Sequence, residues 1–232
     1  MRSDLKTLHR PVEVGCRCVD SKYPPIELFD DVASQEDFEV LYALQALTNP
    51  RIQAEVGNLT FLQVKGMPLG ITGCSYACAP FTHVSPEGSR FSDGTFGLLY
   101  IASDTATALK EVAYHREKYC SNVHGLKFER FVYRKLKCEF SIESGLDATG
   151  ISMNDPLYHE DDYSEGRGVG TALKIQGKVD ALCYNSVRNT GAICWALFTP
   201  ILVRSIIQAN HYEMIWDETR LGHPMEIKLT KY

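Results

Sequence analysis

No apolar run in this 232-residue chain is long enough to cross a bilayer: the longest, residues 191–203, is broken by Thr199 and Pro200. No membrane span is expected. The opening Met-Arg-Ser-Asp-Leu-Lys-Thr carries charges but no apolar core behind them, so no secretory signal is expected and the location is read as cytoplasmic. An excess of positive charge is also missing. Lys plus Arg number 24 against 29 Asp plus Glu, a formal net charge of −5, and nothing global points to direct nucleic-acid binding. Zinc spacing is absent, since the close cysteine pairs are Cys16-Arg-Cys18 and Cys74-Ser-Tyr-Ala-Cys78, and no metal is expected. The eight cysteines are read as reduced thiols, because a chain of this size does not need disulfide staples. Cys183 and Cys194 sit in apolar runs, where a thiol behaves as a small hydrophobe. Internal repeats and low-complexity linkers are lacking too.

What is present is ordinary globular composition, 44% hydrophobic, 23% charged and 10% aromatic, enough for one large core or two small ones. Near the N-terminus, Ser34 is a good helix N-cap and Phe38, Leu41, Leu44 and Leu47 recur at three-residue steps until Asn49-Pro50. This spacing predicts an amphipathic helix over 35–48, with a second short one at 52–56. Its apolar face serves the core, or a homodimer or partner contact. The acidic residues between positions 26 and 40 read as a solvated face. Strands are predicted at 61–64, 97–102, 127–133, 139–142, 181–184, 192–198, 202–207 and 225–229. Ser103-Asp104-Thr105 opens a helix to about Tyr119, with Ala108, Leu109, Val112 and Ala113 on one face. Residues 1–60 are therefore taken as an N-terminal helical extension packed on the core, and 61–232 as the main domain.

Charge changes sign in mid-chain: residues 110–137 hold eight basic and three acidic residues, whereas 139–165 hold eight acidic and no Lys or Arg. Two solvated faces explain this most simply. The alternative is a basic rim framing an anionic ligand, covered by the acidic loop 155–165.

Four polar residues, at three places in the chain, are the candidates for chemistry. Arg90, between small residues in Gly88-Ser89-Arg90-Phe91-Ser92-Asp93-Gly94, can be presented by the backbone to a phosphate, which its planar fork grips bidentately. Glu111 and His115 lie one helical turn apart and project from one face. Ser186, in Asn185-Ser186-Val187-Arg188-Asn189, has no Gly-x-Ser-x-Gly elbow and so reads as a hydrogen-bonding group, not a hydrolase nucleophile. A zinc hydrolase built on His115, Glu111 and a cysteine is a distant reading, since no HExxH pattern accompanies them.

Taken together, Gly-Ser-Arg-Phe, Leu-Tyr-Ile-Ala at 99–102, Thr-Ala-Leu-Lys-Glu at 107–111 and Asn-Ser-Val-Arg at 185–188 resemble the RES domain, named for its Arg, Glu and Ser. The RES domain is the toxin half of RES–Xre toxin–antitoxin modules. The resemblance covers about residues 81–198. Leu47-Thr-Asn-Pro-Arg51, Phe81-Thr-His83, Tyr114-His115 and Ser186-Val-Arg188 are similar to a longer bacterial branch of the family. It implies an α+β fold, a mixed β-sheet core flanked by helices and similar to ADP-ribosyltransferases. It also implies an enzyme that consumes NAD+ as its substrate, a glycohydrolase or phosphorylase that arrests growth, with an Xre-like antitoxin or another inhibitory protein as partner.

Carried over by position, Arg90, Glu111 and Ser186 take the catalytic places and Tyr100 the strand tyrosine, with His83, His115 and Arg188 as further binding candidates. Cleavage of the nicotinamide–ribose bond passes through an oxocarbenium-like state, which Glu111 would stabilise while Arg90 holds the pyrophosphate and Tyr100 packs on the nicotinamide or its ribose. Ser186 would hydrogen-bond the nicotinamide ribose or amide. One departure stands out. Short RES domains carry an early arginine just inside their first strand, whereas Phe61-Leu-Gln-Val-Lys-Gly66 offers only Lys65, with Arg51 upstream. Two alternatives remain, an ADP-ribosyltransferase acting on a host protein and a non-catalytic nucleotide- or partner-binding protein on the same scaffold.

Overall fold

A computed structural model describes residues 2–22, 34, 36–37, 40 and 66–228. In chain order these form strand β1 (Lys6–Asp20), helix α1 (Cys74–Thr82), β2 (Leu99–Ala102), α2 (Thr105–Ser121) and β3 (Glu129–Asp147). Then come α3 (Ser164–Gln176), β4 (Ala181–Asn185), β5 (Ile193–Leu197), β6 (Val203–Trp216) and β7 (Met225–Ile227). Short 3₁₀ turns occur at Pro156–Tyr158 and Pro200–Leu202.

The strands make one seven-stranded sheet in the order β1-β2-β5-β4-β3-β6-β7, and β1 also pairs with β3. That extra pairing closes β1, β2, β5, β4 and β3 into a ring, from which β6 and β7 extend along β3. Only β3 and β4 run parallel among the described strands. The chain is therefore α+β with a mixed sheet.

Both faces of the central strands are apolar, and their two-residue alternation divides the core. Leu99, Ile101, Cys183, Trp195 and Leu197 point to one cluster with Cys74, Ala77, Cys78 and Phe81 of α1. Ala102, Leu182, Tyr184, Cys194 and Ala196 point to the other, which Ala108 and Leu109 of α2 and Leu173 of α3 cover. This burial on both sides makes β2, β4 and β5 read as continuous apolar runs. All eight cysteines are free, seven of them buried.

Several elements differ from the sequence reading. The strands predicted at 127–133 and 139–142 merge into one 19-residue strand, β3, which begins at Glu129, because Lys135 and Lys137 alternate with the buried Leu136 and Cys138. β6 runs to Trp216, well past residue 207. β1, α1 and α3 have no counterpart among the predicted elements. Pro11 and the charged neighbours of Val12 and Val14 hide β1, whose partners in β3 lie far along the chain. Pro80 obscures α1, and Gly166, Gly168 and Gly170 obscure α3.

The strand at 61–64, the short helix at 52–56, Arg51, Lys65 and most of 35–48 lie outside the described residues. Within that stretch, the Asp37 N–H donates to Ser34 Oγ at 3.2 Å, the cap expected there. The division at residues 60 and 61 also falls outside them, and β1 on its N-terminal side is part of the same sheet.

Candidate active site

Arg90 owes its position to close backbone packing. Gly166 and Gly170, one turn apart on α3, lie directly on the backbone that carries it. A Cβ on Gly166 would stand 2.4 Å from the Arg90 carbonyl oxygen, and one on Gly170 would stand 1.8 Å from that of Phe91. Arg167, between them, donates through Nε to the Ser89 carbonyl at 3.1 Å and through Nη2 to that of Glu87 at 2.7 Å. The glycines that weaken α3 as a helix are thus what lets the loop lie on it. Gly170→Ala, whose new methyl meets backbone, is expected to cost about 1–3 kcal/mol of stability in denaturant unfolding. A variant as stable as wild type would contradict this packing. From that position the Arg90 guanidinium lies over the Tyr163 ring at 4.5 Å and donates through Nη1 to the carbonyls of His159 at 3.0 Å and Leu157 at 3.3 Å.

Glu111 is placed by α2, which starts where Asp104 caps the Thr107 N–H at 2.8 Å. Its carboxylate is then fixed by the loop between β4 and β5. Ser186 Oγ donates to Glu111 Oε1 at 2.7 Å, and itself accepts from the N–H groups of Arg188 at 3.2 Å and Asn189 at 3.1 Å. Asn189 ties the same loop to α2, through Thr107 Oγ1 at 2.7 Å and Lys110 Nζ at 2.8 Å. Ser186 is buried and is not among the residues lining the cavity described below. Its hydroxyl is directed at Glu111, whose carboxylate it orients.

In front of Glu111 opens a cavity of about 640 Å³ whose walls include Arg17, Arg90, Tyr100, His115 and Tyr163. The Tyr100 hydroxyl shares a hydrogen bond with Ser89 Oγ at 2.8 Å and accepts from the Phe91 N–H at 3.1 Å. Burial pushes its pKa up to about 12, so the phenol stays neutral. His115 is exposed at the rim, where desolvation lowers its pKa despite the opposing pull of Glu111.

Arg17, on β1, supplies a cation that the sequence reading sought elsewhere. Its Nη1 donates to the Tyr100 carbonyl at 3.0 Å, and desolvation lowers its pKa. No carboxylate among the described residues pairs with Arg17 or Arg90. Two guanidiniums without counter-ions beside one fixed carboxylate suit a ligand that is anionic at one point and develops positive charge at another. In the sequence, Cys16-Arg17-Cys18 stands out only as a close cysteine pair.

Two expected residues lie elsewhere. His83 is exposed and lines a neighbouring cavity of about 600 Å³, with its Nδ1 3.1 Å from Thr82 Oγ1. The Arg188 guanidinium stacks 3.3 Å above the Tyr114 ring and donates to the Glu160 carbonyl, bracing the acidic loop outside the cavity lining. That loop does meet basic residues, since Lys118 Nζ pairs with Asp161 Oδ1 at 2.7 Å.

Comparison with known proteins adds the family. The RES domain matches residues 67–217. The uncharacterized protein y4oC of Sinorhizobium fredii is 27% identical over 210 residues, 89% of this chain and 84% of that protein. The crystal structure of the M. tuberculosis MbcT-MbcA toxin-antitoxin complex is similar with a TM-score of 0.46 and 11% identity, over 88% of this chain and 87% of that one. Among the described residues no helix is long and apolar enough to cross a membrane.

Proposed function

The chain belongs to the RES domain family, and from that premise we propose that it is a toxin that binds NAD+ and cleaves the bond between nicotinamide and ribose. The observation that carries this reading is the Glu111 carboxylate, locked by buried Ser186 at the wall of a cavity that also holds Arg17 and Arg90. Arg17 and Arg90 take the pyrophosphate, whose two negative charges replace the missing counter-ions. Tyr100 packs against the nicotinamide ribose. As the bond lengthens, nicotinamide leaves with the bonding pair and the ribose becomes oxocarbenium-like. Glu111 stabilises that cation by its charge. A water or phosphate oxygen then bonds to the anomeric carbon and releases its proton to solvent, giving ADP-ribose or its 1″-phosphate.

In this scheme Ser186 acts through Glu111. Ser186→Ala is expected to lower kcat by about 10- to 100-fold, the value of a hydrogen bond to a charged group, with a smaller change in KM. An unchanged kcat would remove Ser186 from the mechanism.

The biological consequence is growth arrest through loss of NAD+, restrained by an Xre-like antitoxin or another inhibitory protein. Induced expression tests this. Arrest with a fall in cellular NAD+ supports the reading, whereas normal growth at high yield favours a non-catalytic binder. Arrest with constant NAD+ and newly labelled host proteins favours ADP-ribose transfer to protein.

A further inference from the structure

We propose that Asp161 receives the 2′-hydroxyl of the adenosine ribose and selects NAD+ against its 2′-phosphorylated form. This rests on the binding of a dinucleotide proposed above, and it follows from the direction in which the cavity opens.

The cavity runs along α2. Ala108, Glu111, His115 and Lys118 all line it, so one wall spans more than two helical turns. Its inner end, beyond Glu111, is closed by Ala102, Tyr184 and Cys194, which are buried in the core. At its outer end the Lys118 and Asp161 side chains are 55% and 57% exposed. At 1.5 Å per residue, Lys118 lies about 10 Å along the helix axis from Glu111. With the reacting ribose at Glu111 and the inner end closed, the rest of the dinucleotide leads outward, and its second ribose arrives at Lys118 and Asp161.

Asp161 is built to meet a hydroxyl there. Its Oδ1 accepts from Lys118 Nζ at 2.7 Å and from the Tyr114 hydroxyl. Tyr114 is in turn held beneath the Arg188 guanidinium, which also braces the same loop at Glu160. Oδ2 accepts from no described residue. Lys118 above all, and then Tyr114, hold the carboxyl down to about 2, so it is ionised at neutral pH. The result is a positioned carboxylate in the cavity wall with one oxygen that accepts from no described residue, an acceptor suited to a ribose hydroxyl. A 2′-phosphate would set its own negative charge against that oxygen. The adjacent lysine cannot compensate while its charge is spent on Asp161.

The same pair states what happens when the carboxylate is removed. Lys118 becomes an unpaired cation at the ribose, and a 2′-phosphate turns from a repelled group into an attracted one. Selectivity should therefore invert, not merely weaken.

The test compares adenosine 5′-monophosphate with adenosine 2′,5′-bisphosphate by calorimetry, using the full chain as wild type, Asp161→Ala and Asp161→Ala/Lys118→Ala. Both side chains are mostly exposed, so these variants leave the core intact. Wild type is expected to prefer the monophosphate. Asp161→Ala is expected to shift the affinity ratio toward the bisphosphate by about tenfold or more, and the double variant to lose that gain. An unchanged ratio in Asp161→Ala, or no binding of either nucleotide by wild type, overturns the proposal. Turnover is read separately with NAD+ and NADP+. If NAD+ is cleaved but the ratio does not move, this inference alone fails. If the ratio moves while neither dinucleotide is cleaved, the selective site stands and the proposed activity fails.

Discussion

Replacing Glu111 by Gln is expected to reduce NAD+ cleavage on the order of 10³-fold, because the variant keeps the shape of the side chain and removes only the charge that the ribose cation requires. Folding should be preserved. The Gln carbonyl oxygen can still accept from Ser186 Oγ, which now donates to Glu111 Oε1 at 2.7 Å, and the half-buried side chain gains no clash. The loss should therefore fall on kcat, with binding of ADP-ribose retained. The expected pattern is a protein that unfolds at the wild-type midpoint, binds product and does not turn over. Full activity in Glu111→Gln would mean that the carboxylate is a structural anchor for the loop between β4 and β5. The chemistry would then have to lie elsewhere.

The second large effect is expected at Arg17, and it has two opposite signs. Arg17→Met should raise KM for NAD+ by about 10- to 100-fold, since a charge-assisted contact to the pyrophosphate is lost while Glu111 is untouched. The same variant should be as stable as wild type or more stable. In the unliganded protein Arg17 is half-buried and partly desolvated, its one described hydrogen bond runs to the Tyr100 carbonyl, and no described carboxylate offsets the cost of that partial burial. Methionine fills similar length without that cost. Parallel measurement of KM and of the unfolding midpoint checks both halves. A large loss of stability with KM unchanged would make Arg17 a structural brace between β1 and β2. Such an opposition between function and stability is the usual mark of a binding cation held ready in advance.

These two residues also show what could be read from the chain and what could not. Glu111 was legible because everything that places it is local. Asp104 caps α2, the apolar positions Ala108 and Leu109 set which face packs, and the carboxylate falls on the neighbouring face. Tyr100 was legible for a similar reason, sitting in a four-residue strand buried on both sides. Arg17 was not. β1 has only Leu8, Gly15 and Cys18 fully buried, and its pairing with β3 and β2 is non-local, so no short-range pattern marks it as part of the ring. Residues 61–66, nearer in sequence to Arg90, offer only Lys65, which lies outside the described residues.

The role of Ser186 was half legible. Its residue type and loop indicated a hydrogen-bonding group, but the partner could not be read from spacing. In the fold that partner is Glu111. The seat of Arg90 depended on α3, whose glycines argue against a helix until the backbone lying on them is seen. The mid-chain reversal of charge was visible in the sequence as composition. Its meaning required the pairing of Asp161 with Lys118 and of the Glu160 carbonyl with Arg188.

The central claim is cleavage at the bond between nicotinamide and ribose, and purified wild-type protein incubated with NAD+ tests it most directly. Nicotinamide and the ADP-ribose product would be separated and quantified over time, with and without phosphate. The expected result is one nicotinamide released for each NAD+ lost, with ADP-ribose formed in buffer and its 1″-phosphate replacing it if phosphate is the acceptor. NAD+ that stays intact at enzyme concentrations comparable to substrate, in a sample that still binds ADP-ribose, would contradict the claim and leave a nucleotide-binding protein.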